Sequence, residues 1–146
     1  MFESCLEKQK VIIELFKGCK TAEEKYQTII ELGKTQGHLE DKQKTDDTFV
    51  RGCQSRMFIR SWLDKEKGIV FFESEADALI SAGLGMLLIR VYSGEAPETI
   101  LKCPPTYIEE LHIHQTLTPG RANGLAAVYV RLKQDALKYY IEQNKD

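Results

Sequence analysis

Apolar residues return at helical spacing from Phe2 to Phe16, where Phe2, Leu6, Ile12, Ile13 and Phe16 are separated by Glu and Lys, so an amphipathic helix ending near Gly18 is expected. Thr21 and Glu24 have the spacing of a capping box, which opens a second helix with Tyr26, Ile29 and Ile30 on one face and Gly33 at its end. From Lys34 to Thr48 the chain turns polar, rich in Gln, Asp, Lys and Thr, and reads as a solvated approach segment or lid. Arg56–Leu63 and Ile69–Phe72 have strand composition and flank a polar break containing Gly68, the pattern of an antiparallel hairpin. A third strand from Thr48 to Val50 fits beside it. Ser74, with Asp77 three residues on, is placed to cap the next helix. From Ala78 that helix is apolar on nearly every side, which makes it the buried centre, with Gly83 and Gly85 admitting a second backbone. Pro97 opens a short helix through Leu101, Pro104-Pro105 stops it, and another short helix around Tyr107–Leu111 leads into His112-Ile113-His114. The last helix starts at Thr118-Pro119 and carries Leu125, Val128, Tyr129, Leu132, Ala136 and Tyr140 as one stripe.

This order predicts an α+β fold, a small antiparallel β-sheet covered by helices. At 146 residues the chain has the length of one domain, taken as 1–146. Hydrophobic residues make up 42%, charged residues 29%, and the net charge is -2, a balance that points to neither nucleic acid nor an anionic membrane surface. The longest apolar run, Ala78 to Ile89, would extend roughly 18 Å as a helix against a bilayer core of roughly 30 Å. No basic segment followed by an apolar run opens the chain, so a cytoplasmic location is expected. The four cysteines, Cys5, Cys19, Cys53 and Cys103, are widely and unequally spaced, which argues for free thiols and against a zinc knuckle or a dithiol redox pair.

Candidate chemistry concentrates at Val50-Arg51-Gly52-Cys53-Gln54-Ser55. Gly52 permits a sharp turn that presents Cys53 at a loop tip, and Arg51 and Arg56 place positive charge on either side, which favours the thiolate. The plainer alternative is that Cys53 is a small buried hydrophobe at the start of a strand. His112 and His114 with Cys103 invite a metal reading, but no fourth ligand stands at a typical spacing. A Cys-His hydrolase built on Cys53 lacks a local signature. Glu73, Glu75 and Asp77 are better explained by capping than by acid-base chemistry. No phosphate loop or dinucleotide fingerprint is present. Arg121 lies in the first turn of the final helix, where the dipole disfavours a cation. A specific partner is therefore expected for it, an internal carboxylate or the backbone of the Cys53 loop, in an anchoring role.

Three ordered stretches then carry a resemblance: Val50-Arg51-Gly52-Cys53-Gln54-Ser55; Glu75-Ala76-Asp77-Ala78 with Gly83-Leu84; and Leu117-Thr118-Pro119-Gly120-Arg121-Ala122-Asn123-Gly124-Leu125. With Glu24-Lys25-Tyr26 and Ile30-Glu31-Leu32-Gly33 they are similar to the signatures of the SufE family of sulfur acceptors, over almost the whole chain. The resemblance implies the α+β fold shared with IscU-like iron–sulfur scaffold proteins. It also implies a protein that takes persulfide sulfur from a SufS-like, pyridoxal-phosphate-dependent cysteine desulfurase, stimulates that enzyme, and delivers the sulfur to a downstream iron–sulfur scaffold complex. Such a protein is a sulfurtransferase-like accessory, not a stand-alone enzyme. Cys53 matches the family's acceptor, with Arg51, Gly52, Gln54, Ser55, Asp77 and Arg121 as its loop and support. No resident cofactor or metal is implied beyond a transient persulfide on Cys53. The alternative is a metal- or cluster-binding scaffold, although the chain offers one cysteine at the matching position where a scaffold has several. Two positions depart from the family: Phe58 stands where tryptophan is frequent, and Gly120 where a hydroxyl residue is common. A persulfide exposed to oxidants and thiols would be lost, so the resting loop is expected to tuck Cys53 against the hairpin and buried helix, with its pKa raised, and to open on docking about Gly52.

Overall fold

The two amphipathic patterns at the start of the chain become α1 (Glu3–Leu15) and α2 (Ala22–Gly33) in the computed structural model, which describes residues 1–145. The capping box forms as its spacing requires: the Thr21 hydroxyl accepts from the Glu24 amide, and the Glu24 carboxylate accepts from the Thr21 amide. α3 (Leu79–Tyr92) is the apolar centre, buried on almost every side, and α2 crosses it with the two backbones touching. Glycine makes that contact possible: a Cβ on Gly83 would overlap the Ile29 carbonyl oxygen, and one on Gly33 the Leu79 carbonyl oxygen. Gly85 differs from expectation. It meets side chains, with Met57 Cε 3.2 Å and Ser74 Oγ 3.3 Å from its Cβ position, not a second backbone.

The hairpin pairs β1 (Met57–Asp64) with β2 (Ile69–Ala76) in antiparallel register from Met57 opposite Ala76 to Asp64 opposite Ile69. Gly68 turns the chain between them at φ +68. β2 continues past Phe72, so the capping role expected of Ser74 is wrong. Ser74 pairs with Ile59 inside the sheet and points inward in a regular alternation with Val70, Phe72 and Ala76. The Ser-to-Asp spacing imitates a cap, but period-two burial overrides it. Ala78 takes the cap position of α3 without a side-chain bond, because burial of an all-apolar helix does not depend on a cap. Glu73 and Glu75 are likewise strand residues: Glu73 binds Arg60 at 2.8 Å, and Glu75 accepts from the Leu39 amide at 2.8 Å.

The expected third strand shrinks to one bridge, Phe49 to Phe58, closed by Val50 N to Met57 O at 2.9 Å and Ile59 N to Thr48 O at 2.8 Å. The polar approach segment is pinned and not free as a lid would be. Leu39 is fully buried, a 3₁₀ turn spans Asp41–Gln43, and the Gln36 amide exchanges hydrogen bonds with the Ala76 backbone at 2.8 and 3.1 Å.

The short helices α4 (Pro97–Lys102), α5 (Thr106–Glu110) and α6 (Ile113–Thr116) lead to α7 (Pro119–Gln143). α7 begins with the Thr118 hydroxyl accepting from the Arg121 amide and lays Leu125, Val128, Leu132 and Ala136 against the core. No helix among the described residues is long and apolar enough to cross a membrane.

Candidate functional site

Between the Phe49–Phe58 bridge and β1 the chain makes one loop, Val50 to Met57, with both ends buried and its tip exposed. Arg51 and Gly52 form the turn, and Gly52 sits at φ +97, a conformation that a residue with a Cβ rarely adopts. The turn directs Cys53 back toward the body. Its Sγ lies 3.9 Å from the Gly124 carbonyl oxygen on α7 and 4.0 Å from Met57 Sδ. Ser81 and Leu84 of α3 and Gly120, Arg121, Gly124 and Val128 of α7 complete the recess, which is too narrow for a water molecule. The thiol is tucked and half-buried.

Burial pushes the Cys53 pKa above the usual thiol value, and the positive charge of Arg121 partly opposes this. The flanking arginines do not supply that charge. Arg51 and Arg56 turn outward, their guanidinium carbons 5.8 and 5.1 Å from the ring centroids of Phe49 and Phe58. Arg121 also differs from expectation: its partner is neither a carboxylate nor a loop carbonyl, but the buried Ser81 hydroxyl, to which Nη1 donates at 2.8 Å. Arg121 thus joins α7 to α3 across the floor of the recess.

The loop anchor expected of Arg121 is another residue of the same helix. Arg131 donates to the carbonyls of Phe49 at 3.1 Å, Ile59 at 3.3 Å and Asp47, while Asp135 Oδ1 accepts from its Nε at 3.1 Å. One guanidinium therefore gathers both arms of the loop base. Nothing local in the sequence distinguishes Arg131 from other arginines on a half-buried helical edge, and the carbonyls it binds lie more than seventy residues away. The far end of the loop is held by Asp77, whose Oδ1 accepts from the Arg56 amide at 3.0 Å and whose amide donates to the Arg56 carbonyl at 3.1 Å. Gln54 leans over α7 into the space left by the missing side chain of Gly120, where a Cβ would overlap its carboxamide. Here the departure at Gly120 has a physical consequence: it seats Gln54 at the rim of the recess. Ser55 is half-buried, its hydroxyl without a hydrogen-bond partner.

The remaining thiols lie elsewhere. Cys5 and Cys103 are buried together as free thiols around the Gln9 amide, at 4.0 and 3.7 Å, and the Cys5 pKa is pushed up to about 12, first by burial and then by a hydrogen bond with Cys103. Cys19 is half-buried against the Thr28 hydroxyl at 3.3 Å. His112 and His114 are exposed while Cys103 is buried, so that trio does not assemble. Among the described residues, no group of three or more His, Cys, Asp or Glu converges as a metal site would require.

The family model described as the SufE, Fe-S metabolism associated domain matches residues 10–136. The chain belongs to the SufE family. Membership links it to iron–sulfur metabolism. Among SufE relatives, it is 30% identical to "SufE-like protein 1, chloroplastic/mitochondrial" of Arabidopsis thaliana over 95% of its own length, and it spans only 37% of that longer protein. It is 29% identical to an uncharacterised SufE-like protein of a Synechocystis strain, covering 91% of this chain and 82% of that one. A solution structure of a hypothetical protein from Thermus thermophilus superposes with a TM-score of 0.72 at 25% identity, over 91% of this chain and 96% of that chain. The α+β architecture is thus shared at full domain length.

Proposed function

We propose that this SufE-family protein accepts sulfane sulfur on Cys53 from the persulfide of a cysteine desulfurase and carries it toward iron–sulfur cluster assembly. The observation that carries this reading is the Cys53 loop: one thiol on a positive-φ glycine turn, anchored at both ends and tucked into a recess that excludes water. Cys5 and Cys103 are buried, and Cys19, which follows the turn at Gly18, packs against Thr28 without a positive-φ glycine before it.

In the open state Cys53 loses its proton to solvent, and the thiolate attacks the outer sulfur of the donor's persulfide. The new bond joins Cys53 Sγ to that sulfur, the donor's S–S bond breaks, and the donor cysteine leaves as thiolate. Sulfur moves between two thiols with no external oxidant. Arg121, the charge that lowers the Cys53 pKa, stabilises the anion at the recess. Return of the loop toward the recess, which must widen to admit the second sulfur, then limits the access of small thiols to the persulfide until the next acceptor docks. The donor is a SufS-like enzyme whose pyridoxal phosphate belongs to it, and the acceptor is a scaffold complex.

The test is steady-state turnover of cysteine by such a desulfurase with and without this protein. Cys53→Ser abolishes the stimulation, whereas Cys5→Ser, Cys19→Ser and Cys103→Ser, made singly, retain it. Full stimulation by Cys53→Ser would remove the basis of the reading.

A further inference from the structure

Arg51 and Arg56 stand two residues before and three after Cys53, both exposed. Their supports form one unit. Arg51 lies over Phe49 and Arg56 over Phe58, and the two rings meet edge to face at 5.6 Å between centroids and 63° between planes. The Arg51–Phe49–Phe58–Arg56 stack therefore holds two guanidinium groups on one rim of an open hollow of about 290 Å³, which Lys44 also lines. Other cations nearby are already paired: Arg60 with Glu73 at 2.8 Å, Lys44 with Glu75 at 3.4 Å, Arg131 with Asp135 at 3.1 Å. Among the described residues neither Arg51 nor Arg56 makes an ion pair within 4.0 Å, although Asp46 shares the hollow. Nor is their charge explained by the thiol, since the cation that acts on Cys53 is Arg121. With a net charge of -2, the chain has no general excess of base to account for them.

We infer that this arginine pair is a docking site for carboxylates on the surface of the sulfur-donor protein, next to the mouth of its persulfide site. The inference rests on the reading of Cys53 as sulfur acceptor. Any protein that brings a sulfur atom to bonding distance of Cys53 must cover the loop, and in doing so it takes water away from guanidinium groups within three residues of that cysteine. Cations desolvated without partners oppose association, so the donor must meet them with negative charge. Each guanidinium is already held by its ring, and little side-chain freedom is lost when a planar, bidentate carboxylate contact forms. Two free guanidinium groups are too few to follow a phosphate backbone, which favours an acidic protein surface over nucleic acid.

The experiment titrates the unsubstituted protein and its Arg51→Gln, Arg56→Gln and double variants with a pyridoxal-phosphate cysteine desulfurase at low and high salt, with Lys10→Gln on α1 as control. Intact-mass measurement of persulfide on Cys53 runs in parallel. The double variant is expected to raise Kd by about tenfold at low salt and to flatten its salt dependence, because the charges it removes are those that salt would screen. Half-maximal stimulation should need correspondingly more protein, and Lys10→Gln should behave as the parent. Melting temperature guards against misfolding, and Arg51→Lys with Arg56→Lys recovers part of the binding in a differently packed background. Sulfur acceptance by the parent, with equal Kd and salt dependence in the double variant, would overturn this inference alone. Failure of the parent to accept sulfur would overturn the function proposed above and this inference with it.

Discussion

Replacing Gly52 with alanine probes the balance between the tucked and open states of the Cys53 loop. Gly52 holds φ +97, and its ideal Cβ would stand 3.1 Å from Ala127 Cβ, tighter than ordinary contact. A left-handed backbone costs a residue with a Cβ on the order of 1–2 kcal/mol. Opening the loop lets the substituted alanine relax to negative φ, so this cost falls on the tucked state. Since about 1.4 kcal/mol is tenfold in an equilibrium, the open population should rise about five- to thirtyfold. The fold as a whole is less affected, because alanine also restricts the unfolded chain and returns about 0.4–1 kcal/mol. The assay is the pseudo-first-order rate of Cys53 alkylation by iodoacetamide, alongside thermal melting. A several-fold faster rate with a melting shift of a few degrees at most is expected. Equal rates in an intact fold would refute the reasoning, and Cys53 would then be exposed through a movement that leaves Gly52 as it is.

Two further substitutions address the charge behind the loop and the packing of the core. Because burial raises the Cys53 pKa and Arg121 lowers it, the alkylation rate of the parent should rise with pH through a midpoint above that of an exposed thiol. Arg121→Ala should move that midpoint higher still, and a midpoint that stays or falls would show that Arg121 does not act on the sulfur. The sign for stability is the same: a raised thiol pKa favours the fold less and less as pH climbs from the ordinary thiol range through the folded value, because the unfolded chain ionises first. Gly83→Ala should destabilise the protein by about 2 kcal/mol or more, because its Cβ meets the Ile29 carbonyl where α2 and α3 touch, and denaturant unfolding measures this.

The helices are legible where their signals are local. Thr21 with Glu24, Thr118-Pro119, and the uninterrupted apolar run after Ala78 each specify an end or a face from a few neighbouring residues. The end of β2 is misread from sequence because Ser74 and Asp77 imitate a helix start, and only its partner Ile59 reveals that the strand continues. The site divides in the same way. Gly52 beside Cys53 marks a turn in the sequence, and the turn is there at φ +97. The direction of the thiol, back under α7, depends on Gly124 and Val128 many residues later. Choice of partner is equally non-local: the sequence marks Arg121 as needing a partner and gives no such mark to Arg131, and only the assembled core gives one Ser81 and the other the loop carbonyls.

The central claim is that sulfur lands on Cys53. Incubation with a cysteine desulfurase and cysteine, removal of the enzyme, and intact-mass and peptide-level mass spectrometry under non-reducing conditions test it most directly. A mass gain of one sulfur atom, located on the peptide containing Cys53 and reversed by a reducing thiol, is the predicted result. No added sulfur, or sulfur on Cys5, Cys19 or Cys103 with Cys53 unmodified, would contradict it.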